Sequence, residues 1–237
     1  MKITVVSLFP GMFKGFLEDS IIKRAQDAHK VNIAFVNPRD FTHDPHKTVD
    51  DRPFGGGAGM IMMVEPLQKA IQAAKESGGY VIGTSARGKK LTQNLTRELA
   101  QKEHLIIVAG HYEGYDERVR PAFDIEVSLG DFILTGGELA AACIIDAVVR
   151  VQKGVLKKDA ATQEESFFEV PLDELMRAVG SDELLTTLHN KGTHMVTLLE
   201  YPQYTRPQEI AGMRVPEVLL SGDPKKFVYG SCNRHLP

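Results

Sequence analysis

Apolar runs and helical patterns alternate through the first 150 residues, and each change is marked by Gly, Pro or a helix-capping residue. The pattern predicts strands over 2–9, 31–37, 80–84, 105–109 and 125–129, with helices near 12–28, 64–77, 92–102 and 115–122. A helix from about 137 to 152 closes the unit, carrying Leu139, Cys143, Ile144, Ala147, Val148 and Val151 on a broad apolar face. Leu105-Ile106-Ile107-Val108-Ala109 is apolar on both faces, as in a parallel strand covered on both sides. The expected fold class is therefore α/β, a doubly wound, mostly parallel sheet. After Gly154 the sequence turns polar and aperiodic, then shows two short amphipathic patterns between Leu172 and His189, split at Gly180-Ser181, and Pro-rich connections beyond. The resulting division is a ligand-binding domain over 1–156, a linker over 157–170 and a short, mainly helical C-terminal domain over 171–237.

Composition narrows the classes. A chain of 237 residues can bury one α/β core and a small appendage. No apolar run is long enough to cross a bilayer and no secretory h-region opens the chain. Cys143 and Cys232 stand far apart without CxxC spacing, so neither a disulfide framework nor a Cys-ligated zinc is expected, and the cytoplasm is the natural compartment. The net charge of −3 argues against binding nucleic acid by bulk electrostatics, while leaving room for a local basic patch.

Three glycine-bearing loops follow expected strands: Thr84-Ser85-Ala86-Arg87-Gly88, Gly110-His111-Tyr112-Glu113-Gly114, and Ser128 to Leu139. Ligands of open α/β sheets bind beyond the carboxyl ends of the strands. Glycine lets the backbone approach a ligand closely, and a helix start supplies unpaired N–H groups. None of these loops spells G-x-G-x-x-G and no G-K-[ST] is present, which disfavours ordinary dinucleotide and nucleoside-triphosphate sites. The long irregular segment from Asn37 to Met63 is crowded with Pro, His, Asp, Arg and Gly, and a loop of that kind points to function. His43 and His46 within it lack a third ligand at suitable spacing and are read as hydrogen-bonded loop residues, with no metal site assigned.

Several ordered motifs resemble the bacterial tRNA (guanine-N1)-methyltransferase family of the SPOUT superfamily. They are Ser7-Leu8-Phe9-Pro10, Pro38 to Thr42, Val49 to Met60, Tyr112-Glu113-Gly114 with Asp116 to Val119, Ser128 to Leu139, Tyr204 to Pro207, and Val218 to Gly222. The likeness leaves out residues about 168–197 and the C-terminus. It implies a trefoil knot in the C-terminal part of the α/β domain, S-adenosylmethionine as cofactor and tRNA as substrate, methylated on guanine N1 at the nucleotide 3′ of the anticodon. It also implies a homodimer with active sites at the subunit interface, and it allows Mg2+.

Carried residue by residue, the resemblance assigns cofactor contacts to Ser85, Gly110, Tyr112, Glu113, Gly114, Ser128, Leu129, Gly130, Asp131, Phe132, Ile133, Leu134, Gly136 and Gly137. Substrate contacts fall on Asp50, Arg52, Gly55, Gly56, Gly57 and Gly59. Guanine N1 carries a proton at neutral pH, so transfer needs a base, and the charge developing on O6 needs a cation or N–H donors. The family's catalytic arginine matches Arg150, and its catalytic aspartate matches the position of Glu165. Glutamate there is a departure, as are Ala86 for a usual proline, His111 for a common arginine, and a C-terminal part shorter and less basic than the family's. These departures define two alternatives: a knotted S-adenosylmethionine- or RNA-binding protein without turnover, and a methyltransferase of this fold with another RNA target.

Overall fold

A computed structural model describes residues 1–75, 78–156, 166–180, 183–200 and 202–220. The chain forms two compact units, Met1–Lys157 and Lys158–Pro237.

In the first unit, β1 (Lys2–Val6), β2 (Asn32–Val36), β5 (Tyr80–Lys90), β6 (His104–Val108) and β7 (Ile125–Ser128) form one parallel sheet in the order β2-β1-β6-β5-β7. Successive side chains of a strand face opposite sides, so the central strands feed two cores. Ile3, Val5, Leu105 and Ile107 pack with helices α2 (Ser20–Asp27), α4 (Gln93–Ala100) and α5 (Glu138–Arg150). Val6, Ile106 and Val108 pack on the other side with helix α3 (Val64–Lys75), Tyr115 and Val119. All five residues of β6 are buried, as its unbroken apolar run requires.

The expected strands and the helices α3, α4 and α5 are present, and four details differ. The helical pattern near 12–28 is broken into a 3-10 turn (Pro10–Phe13), a single turn α1 (Lys14–Leu17) and α2. Asp19 ends the first part by capping the second, its carboxylate accepting from the Ser20 amide. The pattern near 115–122 is a 3-10 helix, Glu117–Ala122, because Pro121 removes a donor the α-helix needs. The expected apolar face of α5 is corrected too: Ala140, Ala141, Ile144, Ile145, Val148 and Val149 are buried, whereas Leu139 and Cys143 are exposed.

The fourth difference is in β5, which continues past Thr84 to Lys90. Thr84 and Lys89 both pair with Val127, so residues 85–88 bulge out of an otherwise continuous strand. Between β2 and α3, a small hairpin of β3 (Asp50–Asp51) and β4 (Ile61–Met62) holds the glycine-rich segment at its tip.

The second unit is a mixed α/β arrangement where a mainly helical one was expected. Strands β8 (Phe168–Pro171) and β9 (Met195–Leu198) pair antiparallel and carry helices α6 (Leu172–Val179) and α7 (Glu183–Asn190). Val170, Leu172, Leu175, Leu185, Val196 and Leu198 make its own core. The alternation Met195-Val196-Thr197-Leu198, exposed and buried in turn, was the signal for β9. Residues 168–170, assigned to the linker, belong to β8. A two-stranded β10 (Glu209–Ile210) and β11 (Met213–Arg214) and a final turn α8 (Glu217–Leu220) follow.

Candidate active site

The carboxyl ends of β5, β6 and β7 meet at one sheet edge, and the three loops leaving them enclose a cleft of about 300 Å3. One wall is the β5 bulge, a second is the loop after β6, and the third is the segment from Ser128 to the start of α5. Gly88 lets the bulge lie flat on β7, because a Cβ there would stand 2.6 Å from the Glu126 carbonyl carbon and the Val127 nitrogen.

Backbone joins the walls directly. The Gly137 amide donates to the Gly110 carbonyl at 2.5 Å, and a Cβ on Gly137 would lie 2.1 Å from Thr84 Oγ1. The Gly110 amide in turn donates to Thr84 Oγ1 at 3.0 Å. Beneath them Tyr115 is buried, and its hydroxyl lies 2.7 Å from the Val108 carbonyl and 3.0 Å from that of Thr84. Burial pushes the Tyr115 hydroxyl far up, so it serves as a neutral donor.

Beside the cleft lies a polar cluster whose members come from separate motifs and loops that the sequence did not connect. Glu138, the first residue of α5, is 1% exposed. Its Oε1 accepts from Ser7 Oγ at 3.1 Å, and its Oε2 lies 3.3 Å from His111 Nδ1. The His111 ring packs between Phe9 and Tyr112, with ring centres 4.6 Å and 5.0 Å away. The signal in sequence was an acid set directly after Gly136-Gly137 at the head of a largely apolar helix; its partners, at 7 and 111, come from other strand ends, and nothing local joined the three.

The structure gathers most of the assigned cofactor set. Ser85, Gly110, Tyr112, Glu113, Gly114, Ser128, Leu129, Gly130, Phe132, Ile133, Leu134, Gly136 and Gly137 all line the cleft. Asp131 does not; it points outward and pairs with Lys90 Nζ at 3.0 Å. Tyr112 adopts a left-handed backbone, φ +57°. Burial, and then the neighbouring Asp50 carboxylate, push its hydroxyl up.

The assigned substrate residues lie on the β3–β4 hairpin, which is stitched to the cleft. The Glu113 amide donates to the Met60 carbonyl and the Met62 amide to the Gly114 carbonyl, both at 2.9 Å. Gly59 has φ +87° and abuts the Glu113 side chain, where a Cβ would stand 2.6 Å from Cγ. At the tip, Gly55, Gly56 and Gly57 all have positive φ, and Phe54 is wholly exposed between them and Arg52.

Of the two residues assigned to catalysis, only Arg150 falls within the described residues. Glu165 lies outside the described residues. Arg150 is partly buried in the last turn of α5 and is not part of the lining. It lies ten residues on from Ala140, which lines the cleft, about 15 Å along the axis at ~1.5 Å per residue. Among the described residues, no group of three or more His, Cys, Asp or Glu could hold a metal ion. His43 faces Lys69 Nζ at 3.1 Å.

A family model described as tRNA (Guanine-1)-methyltransferase TrmD matches residues 1–229 and so runs through 168–197, which the motif resemblance left out. The chain is 49% identical over 228 residues to a tRNA (guanine-N(1)-)-methyltransferase of Carboxydothermus hydrogenoformans, covering 96% of this chain and 79% of that protein. An Anaeromyxobacter protein of the same name is 45% identical over 229 residues, 96% of this chain and 82% of its own. A crystal structure of a tRNA (m1G37) methyltransferase from Aquifex aeolicus is similar with a TM-score of 0.69 and 37% identity, over 94% of this chain and 83% of that one.

Proposed function

This chain belongs to the tRNA (guanine-N1)-methyltransferase family, and from that premise we propose that it methylates guanine N1 in tRNA, at the nucleotide 3′ of the anticodon, using S-adenosylmethionine. The observation that carries the reading is the convergence of three glycine-bearing loops on one cleft at the carboxyl edge of the sheet. The cleft suits the cofactor. Its volume falls at the lower end of small-molecule sites, ~300–1,000 Å3. Leu129, Ile133, Leu134 and Ala140 offer apolar wall, and Gly110 and Gly137, where any Cβ would collide with a neighbouring residue, let the walls close together. The trefoil knot belongs to the same reading, supported by the close approach of Gly137 to Gly110 and Thr84.

When bound, S-adenosylmethionine supplies a methyl group activated on a sulfonium. The protein's work is then to align guanine N1 with that methyl and to manage one proton. Glu165 is the base that takes the N1 proton as the new bond forms, and Arg150 is the cation that faces the charge developing on O6. Arg150 stands about 15 Å along α5 from Ala140, the residue of that helix that lines its own cleft, so it serves a site completed by a second copy of the chain. That geometry supports the homodimer, as does the exposed stripe of α5 with Leu139 and Cys143 four residues apart. The β3–β4 hairpin holds the RNA, with Asp50, Arg52 and the glycines shaping backbone to the anticodon loop and Phe54 offering a ring on which a base can stack. Mg2+ has no donor cluster of three or more His, Cys, Asp or Glu among the described residues. The compartment is the cytoplasm, where tRNA is met; no helix among the described residues is long and apolar enough to cross a membrane.

Labelled S-adenosylmethionine incubated with total tRNA, followed by nucleotide mapping, tests the reading. Methyl on N1 of the guanine 3′ of the anticodon is expected; methyl at another nucleotide, or cofactor binding without transfer, overturns it. For the base, Glu165→Gln is expected to lower turnover by about 10²- to 10⁴-fold at saturating cofactor, and unchanged turnover sinks that assignment.

A further inference from the structure

We propose that Glu138 and His111 are positioning residues, a buried clasp that holds the loop after β6 against the start of α5 and so fixes the shape of the cofactor cleft. The inference rests on the cleft being the S-adenosylmethionine site. Its ground is the Ser7–Glu138–His111 contact itself. A carboxylate only accepts hydrogen bonds, so the 3.3 Å contact to Oε2 requires the proton on His111 Nδ1. Ser7 Oγ supplies the other oxygen, Oε1, at 3.1 Å. A carboxylate this enclosed is tolerated only when both oxygens are met. The three elements are therefore held in one arrangement.

Each member of the clasp touches a cleft wall. His111 lies between Gly110 and Tyr112, both of the lining, and its ring packs edge-on against Tyr112. Glu138 follows Gly136-Gly137, also of the lining. Gly136 is squeezed between them, since a Cβ there would stand 2.5 Å from Glu138 Oε2 and 2.7 Å from His111 Nδ1. Neither His111 nor Glu138 lines the cleft itself. They act on the cofactor through the backbone they hold, and arginine, the common residue at 111 in the family resemblance, keeps a donor there.

The test uses the full-length chain as His111→Ala, His111→Arg, Glu138→Gln and the double variant H111A/E138Q. Amide hydrogen exchange without cofactor is expected to quicken at 110–114 and 129–137 in H111A and E138Q, and to stay near wild type in H111R. The KM for S-adenosylmethionine is expected to rise about tenfold in H111A with kcat at saturation reduced less than threefold, and the double variant should lose no more than the worse single one. Wild-type exchange in both loops of H111A overturns the clasp, as do losses that multiply in the double variant. Should E138Q fail to fold, H111A and H111R still decide. Absence of S-adenosylmethionine binding by the wild type refutes the cofactor reading, and quickened exchange would then still establish the clasp between the loops.

Discussion

At the residue scale, the cleft depends on positions where nothing larger than hydrogen fits. Gly137 is the sharpest case, because a Cβ there would strike both Thr84 Oγ1 and the Gly110 amide, 2.1 Å and 2.6 Å away. Gly137→Ala is expected to weaken S-adenosylmethionine binding by about tenfold or more by spreading the walls, measured by calorimetry. Gly15→Ala, with nothing within 4 Å, is the control and should leave stability within about 0.5 kcal/mol. His104 shows a different dependence. Its Nδ1 donates to the Gly78 carbonyl at 2.7 Å and its Nε2 lies 2.9 Å from Thr4 Oγ1, from which the neutral ring accepts. Burial lowers its proton affinity below the ordinary value of 6.5. The unfolded chain therefore binds the proton more readily, so this contribution is full above pH 6.5 and fades as the pH falls below it. Urea midpoints that decline from pH 7.5 to 5, with a shallower decline in His104→Gln, are the expected result.

At the scale of elements, strand β6 is the beam of the molecule. Ile107 is wholly buried between strands and helices, and Ile107→Ala is expected to cost about 2–5 kcal/mol in denaturant unfolding. This strand was legible in sequence because a run apolar on both faces has few other uses. So were α3, α4 and α5, whose spacing and flanking glycine or capping residues agree. The break before Ser20 was not, since it turns on Asp19 capping one helix rather than prolonging another. Nor was the bulge at 85–88, because pairing of both Thr84 and Lys89 with Val127 is a property of the neighbouring strand. In the second unit, β8 and β9 are four residues each, too short for alternation to outweigh the helical patterns between them. The cleft itself was legible as loops and motifs. Its support was not: Ser7, His111 and Glu138 meet only through sheet order.

At the scale of the whole molecule, the placement of Arg150 away from its own cleft makes the assembly testable. Sedimentation should give about twice the chain mass of 26.2 kDa. Leu139→Glu, on the exposed stripe of α5, should shift the protein to monomer and abolish methylation while each chain stays folded; a monomeric and fully active enzyme would falsify the shared site. The order in which the chain is made matters as well. Ser7 follows β1, yet its partner Glu138 lies 131 positions later in the chain. Contacts so distant in sequence form late in folding. The sheet interior can begin to assemble from β1 and β2 while synthesis continues, but the pocket has no third wall until the segment at 128–138 has emerged. A ribosome-bound chain shorter than that is thus a folded scaffold in the making that cannot hold a ligand, and binding competence arrives as one of the last events in the biogenesis of the first unit.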